Sequence, residues 1–168
     1  MIRRAKKHLS ESDIKHFHEQ GYLVVEDIFT EDDFAPVKAE ITANIDRLAA
    51  EAVAEGRLSQ DFAEQDFEHR LALISAEDPT IPSKLWNGIA MGSFFNLIRT
   101  PRLLDIAEQF CGPELIASSV YRLRPKVPSH KQSPVPWHQD SGYFEPYCDK
   151  SLVLTVWLPL VDATVDNG

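Results

Sequence analysis

The sequence predicts an α+β chain, a helical N-terminal layer followed by the opening of a β-structure. Three observations carry this. Apolar residues recur at helical spacing early in the chain, with Val37, Ile41, Ile45 and Leu48 on one face. Gly21, Gly56 and Gly112 punctuate such stretches where helices stop. After Pro113 the helical period gives way to β-branched and aromatic runs broken by prolines. The expected organisation is a single domain over 1–168: residues 1–112 mainly helical with one early strand, and 113–168 the first strands of a β-core.

Each element has a local cause. Ser10 and Asp13 offer side-chain oxygens to free N–H groups, so a helix starts there and runs to about Gln20, where Gly21 stops it. Tyr22 to Val25 is β-branched and aromatic, the composition of a short buried strand. Thr30 caps a second helix whose first turn, Glu31, Asp32 and Asp33, complements the helix dipole. Pro36 falls early enough in it to be tolerated. Residues 57–80 are mixed and polar and receive no assignment. From Pro82, Leu85, Trp86, Ile89, Phe94, Phe95 and Ile98 keep a helical period, and Thr100-Pro101 sets a cap and a first-turn proline for a last helix ending at Gly112. Leu115 to Leu123 and Leu152 to Leu158 read as strands. Between them, Pro125, Pro128, Pro134 and Pro136 make a loop.

Composition excludes several functions. Lys plus Arg number 17 against 26 Asp plus Glu, a net charge of −9, which leaves no basic surface for nucleic acid. No apolar run approaches the roughly 20 residues of a membrane span, and the basic start, Met1 to Lys7, has no apolar stretch behind it. Cys111 and Cys148 form no C-x-x-C and suggest free thiols, with cytoplasm the default compartment. No P-loop, G-x-G-x-x-G or G-x-S-x-G occurs. Ser12 to Lys15 spells S-x-x-K but lacks its partner motifs. His16 and His18 lie about 200° apart on a helix and cannot share an ion.

The exception is Pro136-Trp137-His138-Gln139-Asp140-Ser141-Gly142-Tyr143-Phe144. On an extended chain, side chains at i and i+2 share a face, so His138 and Asp140 can meet one ion, with Gln139 turned away. An imidazole and a carboxylate are two thirds of the facial triad that holds iron(II) with open positions. By itself, His-x-Asp occurs by chance in many proteins and is usually a surface hydrogen bond. On the same period Arg122, Arg124 and Lys126 share a face, either meeting an anion or forming a solvated cationic edge.

The string resembles the phytanoyl-CoA dioxygenase (PhyH) family of Fe(II)- and 2-oxoglutarate-dependent oxygenases. The resemblance extends over nearly the whole chain. Phe17 to Asp27 is similar to the family's opening helix, glycine stop and first strand. Pro101 to Glu108 with Gly112-Pro113 is similar to the helix leading into its core. Trp137 to Asp140 with Tyr143-Phe144, then Leu154 to Ala163, then Asn167-Gly168, follow its metal-site region in order.

The resemblance implies a double-stranded β-helix (jelly-roll, cupin-like) core. It makes His138 and Asp140 the catalytic metal ligands, with Fe(II) as cofactor and 2-oxoglutarate and O2 as cosubstrates. Decarboxylation of the cosubstrate to succinate accompanies hydroxylation of a C–H bond in a small organic or acyl substrate. A carboxylate at Asp140, where related halogenases carry a small residue, implies hydroxylation. Tyr121 and Trp157 either wall the cosubstrate pocket or fill the core. Arg124 and Lys84 are candidates for the cosubstrate carboxylates, and Tyr143 and Phe144 for the substrate side. The proline loop, with His130, would cover the mouth.

The family's distal histidine ligand and its 2-oxoglutarate-binding arginine lie beyond the Asn-Gly turn. The expectation is therefore a truncated chain with an incomplete β-helix, weak or no iron retention, no turnover, and self-association through exposed sheet edges. Two other readings stand beside the oxygenase: a non-catalytic binding or scaffold protein derived from that fold, and an unrelated cupin-like metal protein, for instance a zinc binder.

Overall fold

The computed structural model describes residues 8–86, 92–118, 121–128 and 136–165. Its first helix, α1, spans Glu11–Gln20. The Ser10 hydroxyl accepts from the Asp13 N–H at 3.1 Å, and the Asp13 carboxylate accepts from the Ser10 N–H at 2.8 Å, a reciprocal cap. Gly21 closes the helix in the left-handed region (φ 79°) and donates its N–H to the Phe17 carbonyl. No residue of α1 is fully buried. It is held by Phe17, whose ring centroid lies 4.5 Å from that of Phe110 on α6 (Pro101–Cys111).

The spine is α2, Glu31–Ala54. Val37, Ile41, Ile45, Leu48, Ala49 and Ala52 are its buried stripe, the face set by the sequence period. They meet Leu58, Ile74, Ile81, Leu85 and Leu97 in one core. Burying each large aliphatic side chain contributes about 1.5–3 kcal/mol. The helix runs through Pro36 without a break. At its start, the Asp33 carboxylate accepts from the Thr30 N–H and hydroxyl at 2.7 and 2.8 Å, and from Arg102 of α6 at 2.6 Å. Burial pushes the Asp33 carboxyl up, but the hydrogen bonds from Arg102 and Thr30 outweigh it and bring its pKa down to about 2.

Within residues 57–80, where periodicity assigns nothing, the structure forms α3, Phe67–Glu77. Asp66 caps it, accepting from the N–H groups of Glu68 and His69. Arg70 of α3 is 5% exposed. Its guanidinium donates to Asp46 of α2 at 2.5 Å and twice to the Asp61 carbonyl, at 3.2 and 3.0 Å. That carbonyl precedes Phe62, a non-glycine residue in the left-handed region (φ 54°) whose ring packs on the core. Asp78, buried at the end of α3, pairs with Arg57 and accepts from the Thr80 N–H and hydroxyl.

The single helix expected from Pro82 to Ile98 is described as two pieces, α4 (Ile81–Trp86) and α5 (Gly92–Ile98), with Ile89 outside the described residues. Glu40 of α2 caps α5 from outside: one of its carboxylate oxygens accepts from the Ser93 N–H at 3.0 Å and from the Ser93 hydroxyl. Those two bonds, the hydroxyl first, hold the Glu40 carboxyl below its ordinary range. Helix α6 starts at Pro101 and ends at Gly112 (φ 84°, ψ −178°), as the sequence predicts.

The β-core is the expectation that fails. Among the described residues there is no strand and no sheet, so the incomplete double-stranded β-helix is not formed. Tyr22 to Val25, the described parts of 115–123, and 152–158 carry no ladder. Residues 121–128 nonetheless alternate half-buried and exposed: Tyr121, Leu123, Pro125 and Val127 inward, Arg122, Arg124, Lys126 and Pro128 outward. The period of two is therefore present without the pairing. β-Propensity measures how a side chain fits a pleated surface, and the ladder needs a neighbouring strand in register. Here the inward residues find a helical surface instead: Leu123, Leu158 and Leu160 pack against the α2–α5 core. Val120, His130 and most of the proline loop lie outside the described residues, as do Met1 to Lys7 and Asn167-Gly168.

Candidate metal centre

The candidate site is built by the segment that follows the proline loop. Gln139 is extended (φ −111°, ψ 127°), so the side chains on either side of it share a face, and a 3₁₀ turn over Asp140–Tyr143 begins at the second of them. His138 Nε2 lies 3.1 Å from Asp140 Oδ1, which is the convergence that the His-x-Asp spacing predicts. His138 Nδ1 lies 2.8 Å from the Pro136 carbonyl. A carbonyl only accepts, so Nδ1 carries the proton, and in the neutral ring Nε2 is a lone pair facing a carboxylate. Two acceptors at that distance repel unless a positive charge joins them, either a second proton on the ring or a cation. The other carboxylate oxygen, Oδ2, accepts from the Thr155 hydroxyl at 2.5 Å.

The remaining candidate residues divide. Tyr143 stands edge-on to the His138 ring, centroids 6.0 Å apart, and is 80% exposed; Phe144 follows it at the end of the 3₁₀ turn. Trp157 is 61% exposed and is not a core aromatic. Tyr121 is half-buried and stacks on Phe94 of α5, centroids 4.6 Å apart. Arg124 lies on the exposed register of 121–128 with Arg122 and Lys126, and Lys84 is exposed on α4. The structure thus brings His138, Asp140 and Tyr143 together, and ring contacts place Tyr121 at α5. Among the described residues no group of three or more His, Cys, Asp or Glu side chains converges on a common point; this segment brings two candidate donors, His138 and Asp140, together.

Residues 17–168 match the family model described as phytanoyl-CoA dioxygenase (PhyH). The chain belongs to the phytanoyl-CoA dioxygenase family. It is similar to the peroxisomal phytanoyl-CoA dioxygenase of Mus musculus, with 24% identity over 159 residues that cover 92% of this chain and 43% of that protein. The chain therefore spans less than half the length of that relative. No solved structure matches it. Among the described residues, no helix of this family member is long and apolar enough to cross a membrane.

Sequence reasoning missed two contributors to the site. Thr155 is separated from Asp140 by 15 positions, and its one local signal is a lone hydroxyl in the apolar run Leu152 to Leu158. The sequence places Tyr22 in a short strand. Its ring lies 5.8 Å from that of Trp137, the residue before His138, so the N-terminal segment borders the site.

Proposed function

We propose that this chain carries two metal ligands, His138 and Asp140, of an Fe(II)- and 2-oxoglutarate-dependent oxygenase that hydroxylates a C–H bond in a small organic or acyl substrate. The observation that carries the reading is the approach of Nε2 and Oδ1 to 3.1 Å, with Nδ1 tied to a carbonyl. A nitrogen and an oxygen this close together could both reach one divalent ion at ordinary ligand distances of about 2.0–2.2 Å. The Pro136 carbonyl holds the tautomer that offers Nε2 to a metal. One imidazole nitrogen and one carboxylate oxygen suit ferrous iron. Membership of a dioxygenase family supports the same assignment.

When bound, iron with 2-oxoglutarate supplies the oxidising chemistry that turns dioxygen on an unactivated carbon. The protein's share is binding, orientation and exclusion of water. His138 and Asp140 hold the ion. Tyr143, Phe144 and Trp137 offer an aromatic rim for an apolar substrate segment. Arg124 or Lys84 would meet an anionic group of the cosubstrate, and Tyr121 and Trp157 would flank it.

The test is anaerobic addition of Fe(II) and 2-oxoglutarate to the full-length protein. A visible charge-transfer band is expected, and His138→Ala should abolish it. No band in a folded sample, or an unchanged band in His138→Ala, defeats the reading. Zinc uptake indifferent to 2-oxoglutarate would favour the cupin-like metal protein, and no metal uptake the scaffold.

A further inference from the structure

We infer that Thr155 is a positioning residue for Asp140: its hydroxyl ties up one carboxylate oxygen and so reserves the other for a cation beside His138. This rests on the metal reading above and adds a residue to it. A carboxylate has two equivalent oxygens, and a free one can rotate, point either oxygen at a cation, or chelate with both. Here the two are made inequivalent. Oδ2 accepts a 2.5 Å hydrogen bond from Thr155 Oγ1, and Oδ1 faces His138 Nε2 at 3.1 Å. A hydroxyl donating to a charged acceptor at that length is a strong, directional bond. The imidazole is fixed in the same way from its far side by the Pro136 carbonyl, 2.8 Å from Nδ1. Both candidate ligands are thus held by one outer partner, and in both the atom left over is the one turned toward the other ligand.

The chain placement has a reason. Thr155 is a lone hydroxyl among Leu152, Val153, Leu154, Val156, Trp157 and Leu158. Leu158, three residues on, packs against the helical core and anchors the segment. The hydroxyl then reaches back 15 positions to the site segment. Thr155 is exposed, and a valine would have the same shape, so the hydroxyl is the part with a distinct role.

The experiment titrates the intact protein anaerobically with Co(II), following its visible absorption, for wild type, Thr155→Val, Thr155→Ser and His138→Ala. Removal of an outer partner of a ligand typically weakens metal affinity by about 10–100-fold. Thr155→Val should show that loss and an altered Co(II) spectrum, because Oδ2 becomes free to rotate toward the ion. Thr155→Ser, which keeps the donor, should restore both. The urea midpoint of Thr155→Val should stay at the wild-type value. Thr155→Val binding Co(II) as wild type does, while His138→Ala loses it, overturns the role of Thr155 and leaves the metal site standing. Equal loss in Thr155→Val and Thr155→Ser also overturns it, since the donor would not be what matters. If wild type and His138→Ala bind alike, the metal reading fails and the inference with it.

Discussion

Arg70→Met removes the charge and the hydrogen bonds of the buried guanidinium but leaves a side chain of comparable reach. The cost can be worked from its partners. Asp46 retains 55% of its side-chain exposure, so water can replace the arginine there, and that pair is worth no more than about 1 kcal/mol. The two donors to the Asp61 carbonyl form a fork from a charged group to one acceptor, worth about 1.5–3 kcal/mol together. The sum is a loss of about 1.5–4 kcal/mol. Releasing that carbonyl also frees Phe62 from its left-handed conformation, which alone costs about 1–3 kcal/mol to hold and so makes the 57–66 turn the first part to open. Equilibrium urea unfolding is the assay. With a slope of about 2 kcal/mol per molar, the midpoint should fall by about 0.8–2 M. Asp46→Asn alone should shift it by less than about 0.5 M. A shift below about 0.3 M for Arg70→Met, or a larger one for Asp46→Asn, would refute the assignment of the strength to the Asp61 fork.

Acid titration tests the α2–α6 clamp. The Asp33 carboxyl lies at about 2 against an ordinary 3.8. A depressed folded value adds stability that is complete above the unfolded pKa and is lost as pH falls through the folded one. Stability should therefore drop between about pH 4 and pH 2, by no more than about 2 kcal/mol from this group, and Asp33→Asn should flatten that drop. A profile unchanged in Asp33→Asn would remove the clamp from the account. Gly112→Ala should destabilise by about 1–3 kcal/mol through backbone strain alone, because φ 84°, ψ −178° suits only glycine while an added Cβ meets nothing within 4 Å. A neutral thermal melt would contradict it. Ile74→Ala, at a fully buried position, should cost about 2–5 kcal/mol in the same melt. A loss under about 1 kcal/mol would place Ile74 outside the core.

Helix boundaries were legible where chemistry at the ends is local. Ser10, Thr30 and Thr100-Pro101 mark starts, and Gly21 and Gly112 mark stops, all within a turn of where the structure puts them. Helix α3 was not legible because its inward stripe, at positions 67, 70, 71, 74 and 75, includes an arginine and a serine. A buried guanidinium with three hydrogen bonds looks, in a sequence, like a surface residue. The β-core was misread for a different reason. Side-chain alternation over 121–128 is a local property and is present, but pairing is not local, and those residues pack on helices. At the site the same division holds. His138 and Asp140 are two positions apart and their convergence follows from extended geometry, whereas Thr155 and Tyr22 reach the site from distant parts of the chain.

The carboxylate of Glu40 that closes the start of α5 sets an order of assembly. Seven residues are too few for a helix to persist by itself in water, so α5 exists only once the spine is folded beneath it. Phe94 on α5 in turn carries the ring of Tyr121, and with it the start of the 121–128 segment. Amide hydrogens along α5 should consequently exchange with solvent no more slowly than those of α2. Loosening Glu40 should unzip this hierarchy from its outer end, freeing the later segment while the spine keeps its protection.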